Sequence, residues 1–140
     1  MAGYITKLQG YVYDGVHLSS EPLTNGVFVE ITSAGVAKVT AAQDTVLRVE
    51  EKTTLWGLPA LVLDVVSVGL NEVYYVENDW GVNDDVEWDE AKNTLPVGKH
   101  VRMKRLLPGE QVIMSVDDVL YATLSVGNIV RPAAGGSIAV

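Results

Sequence analysis

The chain has 140 residues, a length typical of one domain that can bury a hydrophobic core. Apolar residues make up 48% of it and charged residues 20%, which is the composition of a folded globular protein rather than a disordered one. A net charge of −8 opposes binding to nucleic acid and to anionic membranes, and the absence of cysteine excludes disulfide and thiolate chemistry.

Short alternating runs rich in β-branched residues dominate the first half of the sequence and predict β-strands. An opening strand is expected over residues 4–13, with a bend at Gly10. Better-defined strands are expected over 26–32 and 36–42, which should pair, and over 45–52. Glycine, proline and asparagine between these runs are turn residues, and they leave little room for long helices.

The most apolar segment, LPALVLDVVSVG, spans residues 58–69. Its length would suit a helix, but its proline, glycine and β-branched content favours a buried central strand. EVYYVEN at 72–78 follows after a short connection that contains glycine and asparagine, which is typical of a hairpin. We therefore expect these two segments to pair with each other.

The last third of the sequence predicts further hairpins. A strand is expected over 100–107, followed by a strong turn at Pro108-Gly109. The runs at 110–116 and 119–126 flank two aspartates and are expected to form a hairpin. A last short strand is expected over 129–132.

Together these elements predict one all-β domain over residues 1–140, a small β-barrel or β-sandwich of antiparallel hairpins. Its one irregular stretch is acidic and spans about 78–99, and we interpret it as a long surface loop. Seven of the eighteen acidic residues lie between Glu77 and Glu90. Such a loop is either solvated or docks on a basic patch of a partner or neighbouring subunit.

Two tryptophans lie among these acids, and a tryptophan in a polar loop either covers a local core or anchors an interface. A basic cluster of Lys99, Arg102, Lys104 and Arg105 follows the loop, and alternation places Arg102 and Lys104 on one face of the strand at 100–107. These cations either pair with the loop of their own chain or meet the loop of another subunit. The candidate partner-binding residues are Trp80, Asp84, Asp85, Glu87, Trp88, Arg102 and Lys104.

The sequence shows no pattern for catalysis or for metal binding. Neither His17 nor His100 lies at the spacing of a metal-ligand motif, and no serine lies in a GxSxG elbow. The calcium-loop pattern DxDxDG with a distal glutamate is also absent. We therefore expect no enzymatic activity, no metal site and no cofactor.

Five blocks distributed between residues 25 and 136 stand out: NGVFVEI (25–31), EEKTTLWGLPALVLDVVSVG (50–69), EVYYVEN (72–78), KRLLPGEQVIMSV (104–116) and YATLSVGNIVRPAAGG (121–136). In these blocks the chain resembles small structural proteins encoded in the head gene clusters of tailed bacteriophages. These are the capsid decoration proteins, also called head auxiliary or cement proteins. The resemblance implies a β-rich virion protein without enzymatic activity that binds the outer surface of the capsid and stabilises it.

The same resemblance implies that the partner is the lattice of the major capsid protein. It also implies a location on the capsid exterior after synthesis in the cytoplasm of the bacterial host, and the start MAGYITKLQGY does not read as a signal peptide. On the shell we expect a monomer or a trimer. One alternative is another phage structural subunit, of the tail tube or the head–tail joint. A second alternative is a carbohydrate- or calcium-binding β-module.

Overall fold

The computed structural model describes residues 3–7, 13–14, 16–77 and 94–140. In chain order the strands are β1 (Gly3–Lys7), β2 (Tyr13–Asp14), β3 (Phe28–Thr32), β4 (Gly35–Lys38), β5 (Val46–Leu55), β6 (Leu58–Ser67), β7 (Tyr74–Val76), β8 (Met103–Arg105), β9 (Gln111–Ser115), β10 (Ile129–Ala133) and β11 (Ser137–Ala139). A six-residue helix, α1 (Asp118–Thr123), follows β9, and a 3-10 turn (Ala134–Gly136) follows β10.

The strands form two antiparallel sheets. One sheet has six strands in the order β1-β9-β6-β5-β10-β11, and the other has five in the order β2-β8-β7-β3-β4. Neither sheet closes into a barrel within the described ranges. The predicted all-β fold is therefore confirmed, in the form of two open sheets.

The space between the two sheets is filled by the main hydrophobic core. The rings of Phe28 and Tyr75, from the five-stranded sheet, lie 5.2 Å apart and pack in the same cluster as Leu63 and Met114 of the six-stranded sheet. The Tyr75 hydroxyl donates a hydrogen bond of 2.6 Å to the carbonyl oxygen of Ile113, which links the sheets directly. Each large apolar side chain buried in this way contributes about 1.5–3 kcal/mol.

A second cluster covers the other face of the five-stranded sheet. Because side chains alternate along a strand, Val29 points away from its neighbour Phe28 and into this second cluster. Two chain segments outside the strands cover this face, and they meet where Leu23 and Leu95 pair through an antiparallel bridge. Over the buried residues of β3, β7 and β8 the five-stranded sheet is consequently covered on both faces.

Most of the predicted strands are confirmed. The expected pair at 26–32 and 36–42 corresponds to β3 and β4, and the strand expected at 45–52 is β5. The apolar segment at 58–69 is β6, which lies between β5 and β9 as a central strand. The last expected strand, at 129–132, is β10.

The predicted hairpin between 58–69 and 72–78 is wrong. β7 belongs to the other sheet, where it pairs with β3 and β8, and the edge of β6 that it would need is paired with β9. The connection carries the chain from one sheet to the other and packs tightly. A Cβ on Gly69 would lie 2.1 Å from the Cβ of Asp44.

The predicted hairpin between 110–116 and 119–126 is also wrong, because α1 replaces its second strand. The carboxylate of Asp117 accepts a hydrogen bond of 2.7 Å from the backbone N–H of Leu120, so Asp117 caps the first turn of the helix. Leu120 and Tyr121 then pack against the main core. Local capping together with this packing stabilises the helix over an extended strand.

Candidate functional site

Most of the sequence-predicted site lies outside the described residues. This applies to Trp80, Asp84, Asp85, Glu87 and Trp88, and to the greater part of the acidic loop predicted at about 78–99. Their role as partner contacts therefore stays a prediction. The structure describes the two basic candidates, Arg102 and Lys104, and it places them in different environments.

Arg102 is exposed and contacts Glu77, the last described residue before the predicted acidic loop. Its Nη1 donates to the carbonyl oxygen of Glu77 at 3.3 Å and lies 4.0 Å from the carboxylate atom Oε1. The second carboxylate oxygen of Glu77 accepts the backbone N–H of Ile5 at 2.6 Å. For this one acid, pairing with the basic cluster occurs within the chain, and the same carboxylate holds β1 in place.

Lys104 does not share an exposed face with Arg102, and this placement is corrected. Its side chain is fully buried and its ammonium forms an ion pair with the carboxylate of Glu110, which is also fully buried. Lys104 lies opposite Tyr75 in the ladder of β7 and β8, and Tyr75 belongs to the core between the sheets. Because residues directly opposite each other in a ladder share a face, Lys104 points into the main core with Tyr75. A buried side chain offers no contact area to a partner.

The ion pair lies at the turn that joins β8 to β9 and thereby connects the two sheets. The Glu110 N–H donates to the carbonyl oxygen of Leu107 at 3.2 Å, and Gly109 has a φ of 85°. Proline followed by a glycine with positive φ defines a type II turn, as the sequence predicts at Pro108-Gly109. The Glu110 carboxylate also accepts the Leu107 N–H at 2.7 Å, so Lys104 and Glu110 are structural residues.

The structure reveals a surface feature at the tip of the hairpin between β5 and β6. Leu55 pairs with Leu58 across a two-residue turn, in which Trp56 has a φ of 49° and Gly57 a φ of 79°. Such turns favour asparagine, aspartate or glycine at the first of these positions, and a bulky residue there costs about 1 kcal/mol or more. The Trp56 side chain is nevertheless 52% exposed, so burial does not offset this cost fully.

Trp56 is part of a small apolar surface that we call the aromatic tip, defined as Tyr4, Trp56 and Leu58. The rings of Tyr4 and Trp56 lie 6.0 Å apart at an angle of 49°. Tyr4 is 38% exposed and Leu58 is 37% exposed. Beneath the tip lies a separate buried cluster on the outer face of the six-stranded sheet, formed by Leu55, Ala60, Val62 and Ile113.

A row of polar side chains crosses the same sheet next to this cluster. Asp64 accepts hydrogen bonds from Gln111 at 2.9 Å and from Arg48 at 3.2 Å. Burial alone would raise the pKa of Asp64, but the hydrogen bonds from Gln111, Glu50 and Arg48 together hold it below its usual value. The hydrogen bond to Asp64, followed by repulsion from the same carboxylate, raises the pKa of Glu50. A protonated Glu50 donates a hydrogen bond to Asp64, whereas the two carboxylates repel each other once both are ionised.

We expect the substitution Glu50→Gln to raise the melting temperature near pH 7 and to lose this effect towards about pH 4. A carboxyl whose folded-state pKa is raised destabilises the fold where it is ionised, and this penalty disappears once it is protonated. Thermal unfolding at the two pH values tests this, with Glu51→Gln as the control of equal charge. An equal gain at both pH values would show that the carboxylate contact is not the cause.

Among the residues that the structure describes, no three histidine, aspartate or glutamate side chains come together as a metal site. Nor does the described part of the chain contain a helix long and apolar enough to cross a membrane. Comparison of the chain with protein-family models, with curated proteins and with solved structures finds no match. The fold and its surfaces thus define a two-sheet β-domain that presents an exposed aromatic tip.

Proposed function

We propose that the protein is a structural virion protein that binds the outer surface of a tailed-phage capsid and stabilises it. The five sequence blocks that resemble capsid decoration proteins suggest the kind of partner, which is a phage capsid. The aromatic tip is the observation that carries the proposal, because local folding does not account for it. Trp56 occupies a backbone position that disfavours it and leaves half of its side chain in solvent. Tryptophan is enriched at the centres of protein interfaces, where such an exposed ring becomes buried.

The scaffold suits this role mechanically. Trp56 lies at the end of two ten-residue strands that pair over their length, so the tip is presented on a rigid hairpin. A decoration protein repeats one contact at every lattice point, and modest individual contacts add up through multivalency. A ligand that binds only the assembled shell also shifts the assembly equilibrium towards the shell. Catalysis and cofactors have no part in this proposal.

The test is co-sedimentation of the purified protein with capsids that lack it. We expect saturable binding at a fixed ratio of copies to capsid subunits. Binding that never saturates would refute the decoration proposal. The oligomeric state in solution is informative as well, since a hexameric ring would instead favour a tail-tube or head–tail joining subunit.

In the same assay we expect Trp56→Asn to weaken capsid binding by about 2 kcal/mol, or about 30-fold in affinity. Asparagine suits the first position of this turn, so the variant should fold and be at least as stable as the parent protein. The matched control is Val126→Asn, which removes a 63% exposed apolar side chain from another turn. Equal binding by Trp56→Asn and the parent protein would show that the aromatic tip is not the contact.

A further inference from the structure

Two clefts adjoin at the loop between β6 and β7, at the opposite end of β6 from Trp56 and Leu58 of the aromatic tip. The first, which we call the acidic cleft, has a volume of about 370 Å³ and is lined by Glu30, Ile31, Gln43, Leu70, Asn71 and Glu72, among others. The second, which we call the apolar cleft, has a volume of about 270 Å³, and its lining includes Val68, Leu70, Val73 and Leu107 together with Arg105. Leu70, Asn71 and Glu72 separate the clefts and line both of them.

The acidic cleft carries two carboxylates in different states of pairing. Hydrogen bonds from the Tyr74 hydroxyl at 2.8 Å and from Arg105 at 2.9 Å lower the pKa of Glu72. The Glu30 carboxylate has no hydrogen-bond or ion-pair partner in the part of the chain that the structure describes. No lysine or arginine within those described ranges lines this cleft, and because Arg105 offsets the charge of Glu72 from the adjoining cleft, Glu30 supplies the uncompensated negative charge.

The segment between the clefts packs closely against the domain at Gly69, but the next residue, Leu70, carries an exposed apolar side chain. Gly69 packs against Asp44 so tightly that even a methyl group would collide. Next to it, the Leu70 side chain is 98% exposed, and it adds nothing to the core. An apolar side chain held out between two clefts is available to contact a ligand that occupies both.

We propose that the two clefts together bind an extended segment of a partner protein in which a lysine or arginine lies near an aliphatic residue. The cationic group would meet Glu30, and its aliphatic stem would pack on Ile31 and Leu70. The neighbouring aliphatic residue of the partner would enter the apolar cleft, where Val68, Val73 and Leu107 are the apolar lining. The chemistry of this site does not depend on whether the partner belongs to a capsid.

The test is a titration of the ¹⁵N-labelled protein with the blocked peptide Gly-Arg-Gly-Leu-Gly, followed by NMR. We expect saturable shifts confined to residues lining the two clefts. A peptide with glutamate in place of arginine should not bind, and one with glycine in place of leucine should bind more weakly. No saturable shift, or shifts scattered over the acidic surface, would overturn the proposal. Tighter binding of calcium chloride alone to the same residues would identify a metal site and overturn it as well.

Two variants give the sharpest comparison. Glu30→Gln is expected to weaken binding of the arginine peptide by about threefold to fivefold, the effect of one partly exposed ion pair. Glu51→Gln removes the same charge from an exposed position outside both clefts and should leave the affinity unchanged. Equal weakening by both variants would show general attraction to an acidic protein rather than a site. Because the peptide assay contains no capsid, its outcome is separate from that of co-sedimentation.

Discussion

Substitution of Lys104 by methionine is expected to lower the free energy of unfolding by about 3–5 kcal/mol. Lys104 and Glu110 are both fully buried and pair with each other in the fold. Removal of the ammonium group leaves the carboxylate uncompensated in a medium of low dielectric constant, where an unpaired charge is costly. Denaturant unfolding, followed by tryptophan fluorescence, measures the loss.

A second substitution separates charge from packing. In Lys104→Met/Glu110→Gln the charge is gone, and the glutamine oxygen can still accept the Leu107 N–H that Glu110 accepts. We expect most of the lost stability to return in this double variant, because a neutral pair of similar shape is tolerated in a core. Lys38→Met is the control, since its ion pair with Glu21 is more than one-third exposed and contributes about 1 kcal/mol at most. A loss at Lys104 no larger than at Lys38 would contradict the buried pair.

The β-class and most strands could be predicted from the sequence because alternation is a local signal. In β6 the core-facing residues Leu61, Leu63 and Val65 recur at every second position, and the pattern holds wherever one face is buried. The assignment of β7 to the other sheet could not be predicted in the same way. It depends on β9 occupying the edge of β6, and that contact joins segments about fifty residues apart.

Two of the sequence predictions, a strand after Asp117 and an exposed Lys104, were wrong for different physical reasons. The run after Asp117 alternates well enough for a strand, but it also places Leu120 and Leu124 four residues apart, and both contact the core. The Asp117 cap was therefore a readable signal for a helix. Lys104 gave no such signal, because its burial follows from its place beside Tyr75 on the face of β8 that the other sheet covers. The pairing of Lys104 with Glu110 across the turn could not be predicted either, because it depends on that turn lying at the core.

The aromatic tip and the two clefts also differ in how far the sequence could predict them. Trp56-Gly57 lies between two strand-like runs, so a two-residue hairpin turn with an exposed tryptophan was within reach of sequence reasoning. Its contact with Tyr4 was not, since β1 reaches the hairpin only through the ladder with β9. The two clefts were also beyond reach, because Glu30 and Glu72 come from strands and loops that only the sheet order brings together.

Substitution of Gly3 by valine is expected to cost about 3 kcal/mol of stability, at the upper end of the usual effect of overpacking. A Cβ at Gly3 would lie 2.2 Å from the Tyr75 hydroxyl, 2.5 Å from the carbonyl oxygen of Ile113 and 2.9 Å from the Cα of Gly26. Two of these three atoms belong to the backbone and cannot rotate away. β1 must therefore move from its place at the edge of the six-stranded sheet.

Lys7→Val in the same strand is the matched control, because valine favours strands and the Lys7 side chain is exposed. We expect that control to remain stable, so that the loss at Gly3 reports the close approach rather than strand propensity. Tyr75→Phe should rescue Gly3→Val only in part, since it removes the hydroxyl and leaves the backbone contacts.

Faster amide hydrogen exchange at Ile5, whose N–H donates to the Glu77 carboxylate, should accompany the loss of stability in Gly3→Val. Displacement of β1 also moves Tyr4 away from Trp56, so capsid binding should fall with it. Equal stability of the two valine variants would show that β1 does not need this close contact to dock.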